Sequence, residues 1–360
     1  MNSSTPPATS PDGVDLSSAR DVLAEALDEV AGWLLADSGD LEVTAKADGT
    51  PVTDADTAVD DHLRARLTAA FPDHGVLSEE RGTRSPTTAW TWVIDPIDGT
   101  SNYTNRLPYW CISVALLHDG EPVLGMVDAP VLARRYIALA GGGAEVVTRT
   151  TSMDGREDRP RSRRLQVRPP VAWRDPSNRH VPLMLTTGTA RRARGAGVRL
   201  NPRVMGSTAL DLAMVAEGVA AASLAKVPKI WDVAAGVLLV REAGGVIVTL
   251  DGEPLLPLVG GVEQVARSAT TASGPDERYV RELAAALLGE PETGQPGEAS
   301  GASGASGASE RAEGSGASER VGGPERVGGS ERAEASERAG GSERAEAEGA
   351  VGPDRAAGSA

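Results

Sequence analysis

The sequence predicts a mixed α/β fold, with an α+β arrangement in its first half and an α/β arrangement in its second half. Two segments near the amino terminus have apolar residues at helical spacing, and three strand-like runs follow, two of them joined by the turn pair Asp119-Gly120. From Val181 to about Leu288, helical and strand-like segments alternate. We therefore expect an antiparallel sheet covered by two helices, followed by an α/β half.

Two helices are expected to begin the first half. The first runs from about residue 15 to residue 37, because apolar residues recur three and four positions apart before Gly39 ends the pattern. The second begins at the N-cap Thr53 or Asp54 and ends at Phe71-Pro72.

The strands of the first half are predicted from short runs of aliphatic and β-branched residues. Val76–Ser78 is expected to deliver Glu79 at its end. Trp92–Ile94 is expected to leave the sheet at Pro96, because proline cannot continue a hydrogen-bonded ladder. The other strands are predicted over Cys111–Leu117, Val123–Val127 and Arg135–Leu139.

Residues 141–180 are expected to form a long surface connection with at most one strand, near Leu165–Val167. The second half is then predicted to contain strands at Leu183–Thr187 and Val246–Leu250, and helices at Ser207–Ala221, Trp231–Ala243 and Pro275–Leu288. Gly244-Gly245 is expected to end the second of these helices at its C′ position.

Composition divides the chain into four segments. Residues 1–14 and 291–360 are expected to be disordered, because they contain too few aliphatic residues to offset the entropy of an ordered chain. The last segment is a low-complexity tail of Gly, Ala, Ser, Glu and Arg. Residues 15–180 and 181–290 are expected to form the two folded halves.

The net charge of −15 argues against a nucleic-acid partner, which would require a basic surface. Cys111 is the only cysteine, so no intramolecular disulfide can form, and this fits a reducing compartment. The amino terminus has neither the basic nor the apolar region of a secretory signal, and no run of about eighteen apolar residues occurs. We expect a cytoplasmic protein without a membrane partner.

A candidate functional site lies in the segment Trp92–Asn102. Asp95 and Asp98 follow a buried strand, and they repel each other unless a cation lies between them. Their hard oxygen ligands favour Mg²⁺ or a similar ion. The amides after Gly99 stand at what could be a helix start, where free N–H groups receive an anion. A cation site beside an anion site indicates phosphate chemistry, and a capped loop with solvated acids is the alternative.

Three further acids, Asp56, Glu79 and Asp232, stand at the ends or starts of predicted elements. Taken alone, Asp232 is expected to be a helix N-cap and Glu79 a surface acid. Together with Asp95 and Asp98 they form a set of acids at sharp turns flanked by apolar sequence, and this set favours a metal site.

Several motifs occur in the order, and near the spacing, typical of the inositol monophosphatase family, which the chain resembles over roughly residues 15–288. They are Lys46, Val52–Asp56, Ser78–Glu80, Trp92–Asn102, Arg203–Ala209, Trp231–Gly236 and Glu242–Gly245. The resemblance implies a layered αβαβα sandwich and a lithium-sensitive phosphatase that uses two to three Mg²⁺ ions. It also implies a homodimer.

The resemblance assigns metal ligands to this chain. One Mg²⁺ would be held by Glu79, Asp95, Thr100 and the carbonyl of Ile97. A second would be held by Asp95, Asp98 and Asp232, and a third, weaker ion would lie near Glu79. Two cations roughly 3.5–4 Å apart would clamp the phosphate and stabilise both the attacking and the leaving oxygen.

Catalytic and substrate-binding roles are implied in the same way. Asp56 and Thr100 would orient the attacking water and accept its proton, with Glu79 as the third catalytic residue. The phosphate and the alcohol would contact Asp98, Gly99, Thr100, Gly206, Ser207, Thr208 and Asp232.

The sequence departs from the family in the pocket for the alcohol. Ala225 stands seven positions before Asp232, where members acting on inositol phosphate usually carry an acid, and Thr208 replaces a usual Ala. We expect a small phosphorylated alcohol as substrate, with inositol monophosphate first. Histidinol phosphate, fructose 1,6-bisphosphate and a 3′-phosphonucleotide are the alternatives within the same chemistry. A catalytically silent metal-binding homologue is the alternative outside enzymes.

Overall fold

The computed structural model describes residues 15–36, 43–45, 51–84, 87–149, 160–194, 197–257 and 270–289. All of them belong to one compact unit, Met1–Pro296. The two segments predicted to be disordered, 1–14 and 291–360, lie outside the described residues, and so does Lys46. Within the described ranges, every helix is too short or too polar to span a lipid bilayer.

The helices of the described residues are numbered in chain order. They are α1 (Leu16–Ala36), α2 (Asp54–Ala70), α3 (Thr100–Thr104), α4 (Thr187–Arg192), α5 (Thr208–Ala216), α6 (Ile230–Glu242) and α7 (Glu277–Leu288). Short 3₁₀ helices cover Pro130–Leu132 and Pro176–Asn178.

The strands form a two-stranded ribbon and two larger sheets. The ribbon pairs β1 (Val43–Ala45) with β2 (Pro51–Thr53). The strands of the larger sheet are β3 (Gly75–Ser78), β4 (Gly82–Arg84), β5 (Trp90–Asp98), β6 (Cys111–His118), β7 (Glu121–Ala129), β8 (Arg134–Leu139), β9 (Gly143–Thr148) and β10 (Arg161–Arg164). Those of the smaller sheet are β11 (Pro182–Leu185), β12 (Asn201–Arg203), β13 (Ala222–Lys226), β14 (Val246–Thr249) and β15 (Thr270–Gly274).

The larger sheet has the order β10-β9-β8-β7-β6-β5-β3-β4. Its neighbouring strands are antiparallel except for β3 and β5, which are parallel. The smaller sheet has the order β12-β11-β13-β15-β14, with parallel pairs on the β11 side and antiparallel pairs on the β15 side. The predicted meander of β6, β7 and β8 is confirmed.

Helices and sheets stack in five layers. α1 and α2 cover one face of the larger sheet, where they bury alternate residues such as Trp92, Ile94 and Val114. α5 and α6 cover the opposite face, which carries Val93 and Ala115. On their other side α5 and α6 contact the smaller sheet, and α7 packs against that sheet in a separate core. The predicted αβαβα sandwich is confirmed.

The prediction that the chain leaves the sheet at Pro96 is wrong. β5 continues to Asp98, which pairs with Cys111, and the register with β6 shifts between Asp95 and Asp98. Such a bulge leaves a residue outside the ladder, so Pro96 needs no N–H at this point. The bulge also redirects the backbone between the two acids.

The prediction of a long surface connection over residues 141–180 is also wrong in part. This region contributes β9 and β10 to the edge of the larger sheet. β10 is exposed throughout and rich in arginine, so it lacks the apolar alternation that marks a half-buried strand, and charged residues are common on edge strands. The strand expected at Leu165–Val167 is replaced by β10, which ends at Arg164.

The helix predicted over Ser207–Ala221 ends early. α5 stops at Ala216, Gly218 follows with a φ of 74°, and β13 begins at Ala222. β13 was not predicted, because its sequence lacks the usual β-branched residues and adjoins a helix rich in alanine. The strand predicted over Leu183–Thr187 is β11, and it ends at Leu185, before α4.

Candidate active site

The carboxylates of Asp56, Glu79, Asp95, Asp98 and Asp232 lie in one region of the structure. Asp95 and Asp98 are on β5, Asp56 and Asp232 are in the first turns of α2 and α6, and Glu79 follows β3 directly. Burial raises the pKa of Asp95 most strongly, and the charges of all four other acids raise that pKa further. The structure therefore brings together the five acids singled out from the sequence.

Asp95 is deeply buried, and one of its oxygens lacks a protein partner within the described part of the chain. Its side chain is 2% exposed, and its Oδ1 atom has no hydrogen-bond partner among the described residues. Burial and the neighbouring charges raise its pKa well above the ordinary value. A buried carboxylate oxygen without a partner is costly unless a cation or a proton neutralises it. Asp95 is therefore the residue that most needs a ligand.

Asp98 is held by the start of α5. Its Oδ2 atom accepts hydrogen bonds from the Ser207 hydroxyl at 2.7 Å and from the Ala209 amide at 2.6 Å. Ser207 is itself the N-cap of α5 and accepts from the Leu210 amide. Burial raises the pKa of Asp98 to about 6, although these hydrogen bonds oppose the rise. The Oδ1 atom of Asp98 is the one that remains for a ligand.

Asp56 is fixed by the capping box at the start of α2. The amide and the hydroxyl of Thr53 donate to Asp56 Oδ2 at 2.8 and 2.5 Å, and Thr53, one of the two predicted candidates, is the N-cap. The other oxygen, Oδ1, lies 3.1 Å from the hydroxyl of Thr100. That hydroxyl also lies 3.0 Å from the carbonyl oxygen of Ile97. Burial raises the pKa of Asp56, which makes it a better proton acceptor.

Glu79 lies in the turn between β3 and β4, which a buried acid holds in place. Asp60, which is fully buried on α2, accepts from the Ser78 hydroxyl at 2.6 Å and from the Arg81 amide at 3.1 Å. Arg64 pairs with Asp60 and also donates to Ser78. The Glu79 amide donates to the carbonyl of Ile94 on β5 at 3.2 Å. The prediction that β3 delivers Glu79 is confirmed, whereas the supporting acid Asp60 was missed.

Asp232 is not the N-cap of α6, so this part of the prediction is wrong, although its side chain takes part in capping the helix start. The helix begins one residue earlier than expected, at Ile230, and Asp232 occupies the third helical position. Its Oδ2 atom accepts from the Lys229 amide at 2.9 Å. Burial raises the pKa of Asp232 well above the ordinary value, and the charge of Asp98 adds to the rise. Asp232 is thus a second acid whose charge is poorly compensated by the protein alone.

Gly99 and Gly206 meet at the centre of the site. Gly99 precedes α3 with a φ of 99°, and Gly206 precedes the N-cap Ser207 with a φ of 87°. A Cβ atom on Gly99 would lie 3.2 Å from the carbonyl oxygen of Gly206. Thr208 is the first residue of α5. The starts of α3 and α5 are therefore adjacent, and amides at helix starts have no acceptors within their helix.

The donor set of this site fits a hard divalent cation. Its ligand atoms are carboxylate and carbonyl oxygens, and an oxygen of Asp95 is buried without a partner. Within the described ranges, no three His, Cys, Asp or Glu side chains are arranged so that they already hold a metal ion. One oxygen of Asp98 and one of Asp232 are directed instead to protein donors. The other carboxylate oxygens of Asp98 and Asp232 are the atoms that would bind a cation.

The sequence matches a known family over most of its length. Residues 14–286 match the inositol monophosphatase family. The chain is 39% identical over 218 residues to a histidinol-phosphatase of Mycobacterium tuberculosis, a match that covers 59% of this chain and 79% of the relative. It is 33% identical over 253 residues to a probable inositol 1-monophosphatase of the same organism, covering 67% of this chain and 83% of the relative.

A solved structure shares the fold. The extragenic suppressor protein suhB of Bartonella henselae superimposes with a TM-score of 0.62 at 26% identity, over 75% of this chain and 98% of that one. The family match over residues 14–286 spans all five acids. The chain therefore belongs to the inositol monophosphatase family and is a phosphoric monoester hydrolase.

Proposed function

We propose that this chain hydrolyses the phosphate ester of a small alcohol, with Mg²⁺ as its cofactor. Inositol monophosphate is the first candidate substrate. The observation that carries the proposal is the buried, partnerless Oδ1 atom of Asp95, surrounded by four further acids. The start of α3, directly after Asp98, offers amides to a phosphate. The acids thus favour a cation, and the neighbouring amides favour the phosphate anion.

The chain offers oxygen ligands for two to three Mg²⁺ ions. We assign them to Glu79, Asp95, Asp98, Asp232 and the Ile97 carbonyl, with the Thr100 hydroxyl as a further oxygen. Bound Mg²⁺ would neutralise the phosphate charge and lower the pKa of the attacking water. Glu79 acts as both a ligand and a catalytic residue in this assignment.

Asp56 and Thr100 are proposed to move the proton of the attacking water. The Thr100 hydroxyl lies 3.1 Å from Asp56 Oδ1, and it can accept a hydrogen bond from water while it donates to Asp56. The proton can therefore pass through Thr100 to Asp56, whose pKa burial has raised. The two bonds from Thr53 keep Asp56 oriented during this transfer.

The phosphate is proposed to lie against the amides of Gly99 and Thr100 and the segment Gly206–Thr208. Thr100 is the first residue of α3, and the positive end of a helix favours an anion. Asp98 and Asp232 would contact the substrate through the same ions. Positioning and charge stabilisation, without a covalent intermediate, would then account for hydrolysis.

Histidinol phosphate is the second candidate substrate. The histidinol-phosphatase relative is more similar to this chain than the inositol 1-monophosphatase relative, at 39% against 33% identity. Ala225 argues against inositol monophosphate as the substrate, because it is 1% exposed and offers no polar group to an inositol hydroxyl. Fructose 1,6-bisphosphate and a 3′-phosphonucleotide remain alternatives with the same chemistry.

The test is phosphate release from a panel of these phosphomonoesters, with Mg²⁺ and with added Li⁺. We expect Mg²⁺-dependent release, inhibition by Li⁺ and the highest kcat/KM for inositol 1-phosphate. If histidinol phosphate ranks first and inositol 1-phosphate ranks low, the second candidate replaces the first.

The same panel separates an enzyme from a catalytically silent metal-binding homologue. A wild-type chain that folds and binds Mg²⁺ but hydrolyses none of the esters would support the silent homologue. An active wild type that loses turnover in Asp98→Asn, with unchanged circular dichroism, would contradict it. We also propose a cytoplasmic homodimer without nucleic-acid or membrane partners. The net charge of −15 supports the absence of a nucleic-acid partner.

A further inference from the structure

We propose that Asn102 is a positioning residue that holds the Gly99–Thr100 turn against the segment leading into α5. Asn102 belongs to α3, and its side chain lies between two backbone segments that are far apart in sequence. The inference rests on the proposed function, because it concerns the same metal and phosphate site.

The side-chain amide of Asn102 satisfies two carbonyl groups at once. Its Nδ2 atom donates to the carbonyl oxygen of Tyr109 at 2.6 Å and to that of Met205 at 2.6 Å. A primary amide has two N–H donors, so both are used. Met205 is 103 residues from Asn102 and directly precedes Gly206. One side chain thus ties together α3, the segment before β6 and the segment before α5.

The backbones at this point approach too closely to leave room for larger residues. A Cβ atom on Gly206 would lie 2.9 Å from Asn102 Nδ2, and one on Gly99 would lie 3.2 Å from the carbonyl oxygens of Gly206 and Tyr109. Both glycines have positive φ, which suits them to this conformation. Asn102 therefore fits a space that the two glycines create.

This contact links both halves of the proposed site. Gly99 and Thr100 stand on one side of Asn102 and follow Asp98 directly. On the other side, Ser207 and Ala209 donate to Asp98 Oδ2. A shift between the two segments would therefore change the direction of the Asp98 carboxylate relative to the Thr100 hydroxyl. Small misplacements of reacting groups reduce rates strongly.

Other contacts join the same segments, so loss of Asn102 should displace the site without unfolding the protein. The Tyr109 hydroxyl donates to Asp211 on α5 at 3.0 Å. The bonds between Ser207 and Asp98 also remain. Because these contacts remain and Asn102 is only partly buried, a variant at Asn102 should still fold.

The test compares Asn102→Ala and Asn102→Ser with the control Asn105→Ala. Asn105 is the C-cap of α3, and among the described residues its side chain donates within that turn, to the Ser101 carbonyl at 2.7 Å and towards Thr104. We expect Asn102→Ala to lower kcat and to weaken Mg²⁺ binding, measured by calorimetry, by about 10- to 100-fold each, as found for residues that orient ligands. Asn102→Ser, which keeps one donor, should fall between Asn102→Ala and the wild type. The control should stay within about twofold of the wild type.

A purely structural role predicts a different pattern. Asn102→Ala would then lower the Tm, while kcat per folded molecule and the affinity for Mg²⁺ would match the wild type, and this result would overturn the proposal. If Asn102→Ala does not fold, Asn102→Ser decides by the same two readouts. Calorimetry keeps the outcome separate from the proposed function: a wild type that hydrolyses no ester refutes that function, whereas unchanged Mg²⁺ affinity in the variants refutes the role of Asn102.

Discussion

The hydroxyl of Thr100 lies 3.1 Å from Oδ1 of Asp56, across 44 residues of sequence. It lies at nearly the same distance, 3.0 Å, from the carbonyl oxygen of Ile97. A hydroxyl has one proton, so Thr100 can donate to only one of these acceptors at a time. If the Ile97 carbonyl binds a cation, the proton is left for Asp56, and the two residues form the proton path proposed above.

The first prediction concerns this hydroxyl. Thr100→Val keeps the shape of the side chain and removes the hydroxyl, so we expect kcat to fall by about 10²- to 10⁴-fold, the usual contribution of a positioned acid or base. Thr100→Ser keeps the hydroxyl and should lose about tenfold or less. Steady-state phosphate release measures both variants. Equal activity of Thr100→Val and Thr100→Ser would exclude the proton path.

The second prediction concerns the support of Asp98. Ser207→Ala removes the 2.7 Å hydrogen bond to Asp98 Oδ2 and leaves the Ala209 amide as a donor. Loss of such a supporting bond should weaken Mg²⁺ binding by about 10- to 100-fold. Calorimetry of Ser207→Ala against the exposed control Ser177→Ala measures the effect. Identical affinities would mean that Ser207 serves only as the cap of α5.

The third prediction follows from the raised pKa values. Burial raises the pKa of Asp98 from 3.8 to about 6 and those of Asp95 and Asp232 well above 3.8. A raised pKa means that the folded state binds more protons than the unfolded state. The resulting stabilisation is complete below the unfolded pKa and is lost as pH rises through the folded pKa. Without a cation, these acids should therefore destabilise the fold at neutral pH.

A cation should reverse this loss, because it binds the deprotonated carboxylates and competes with protons. We expect saturating Mg²⁺ to raise the Tm by several degrees at about pH 7.5 and much less at about pH 5. Differential scanning calorimetry with Mg²⁺ or with EDTA at both pH values measures the shifts. At each pH the Tm with Mg²⁺ is compared with the Tm in EDTA. This difference removes the contribution of other titrating groups, such as the buried His74. A larger shift at the lower pH would contradict the assignment.

The fourth prediction concerns the turn that contains Glu79. Asp60→Ala leaves Arg64 without its buried carboxylate and removes the acceptor of Ser78 and of the Arg81 amide. Breaking a buried pair in this way should cost about 3–5 kcal/mol in the free energy of unfolding. The control is Asp61→Ala, since Asp61 forms an exposed ion pair with Arg81, and it should cost about 1 kcal/mol or less. Urea denaturation measures both, and equal losses would show that the Asp60 network does not hold this turn.

Local sequence signals were sufficient where chemistry and structure depend on neighbouring residues. The N-cap Thr53, the acids at the ends of β3 and β5 and the meander from β6 to β8 were predicted for this reason. Asp232 was assigned to the right helix and to the wrong position in it. The observed helix begins at Ile230, three residues before the start that an Asp232 N-cap would require, because helix starts are poorly defined by sequence.

The features that sequence did not predict depend on contacts between distant segments. The bonds of Asn102 to Met205 and of Ser207 to Asp98 join residues more than a hundred positions apart, which no local pattern encodes. Pro96 was misread because a proline at a bulge and a proline at a strand end look the same in sequence. Strand β10 was missed because it lacks apolar alternation. It is an exposed edge strand, so none of its side chains needs to be apolar.

The most direct test of the whole account is phosphate release by the wild type and by Asp95→Asn, each with Mg²⁺ and with EDTA. Asp95 carries a buried oxygen with no hydrogen-bond partner among the described residues, and Asn keeps its shape while removing its charge. The account predicts hydrolysis by the wild type only with Mg²⁺, and a loss of at least about 10³-fold in Asp95→Asn at unchanged fold. Hydrolysis that persists in EDTA, or an Asp95→Asn variant with wild-type activity, would contradict it.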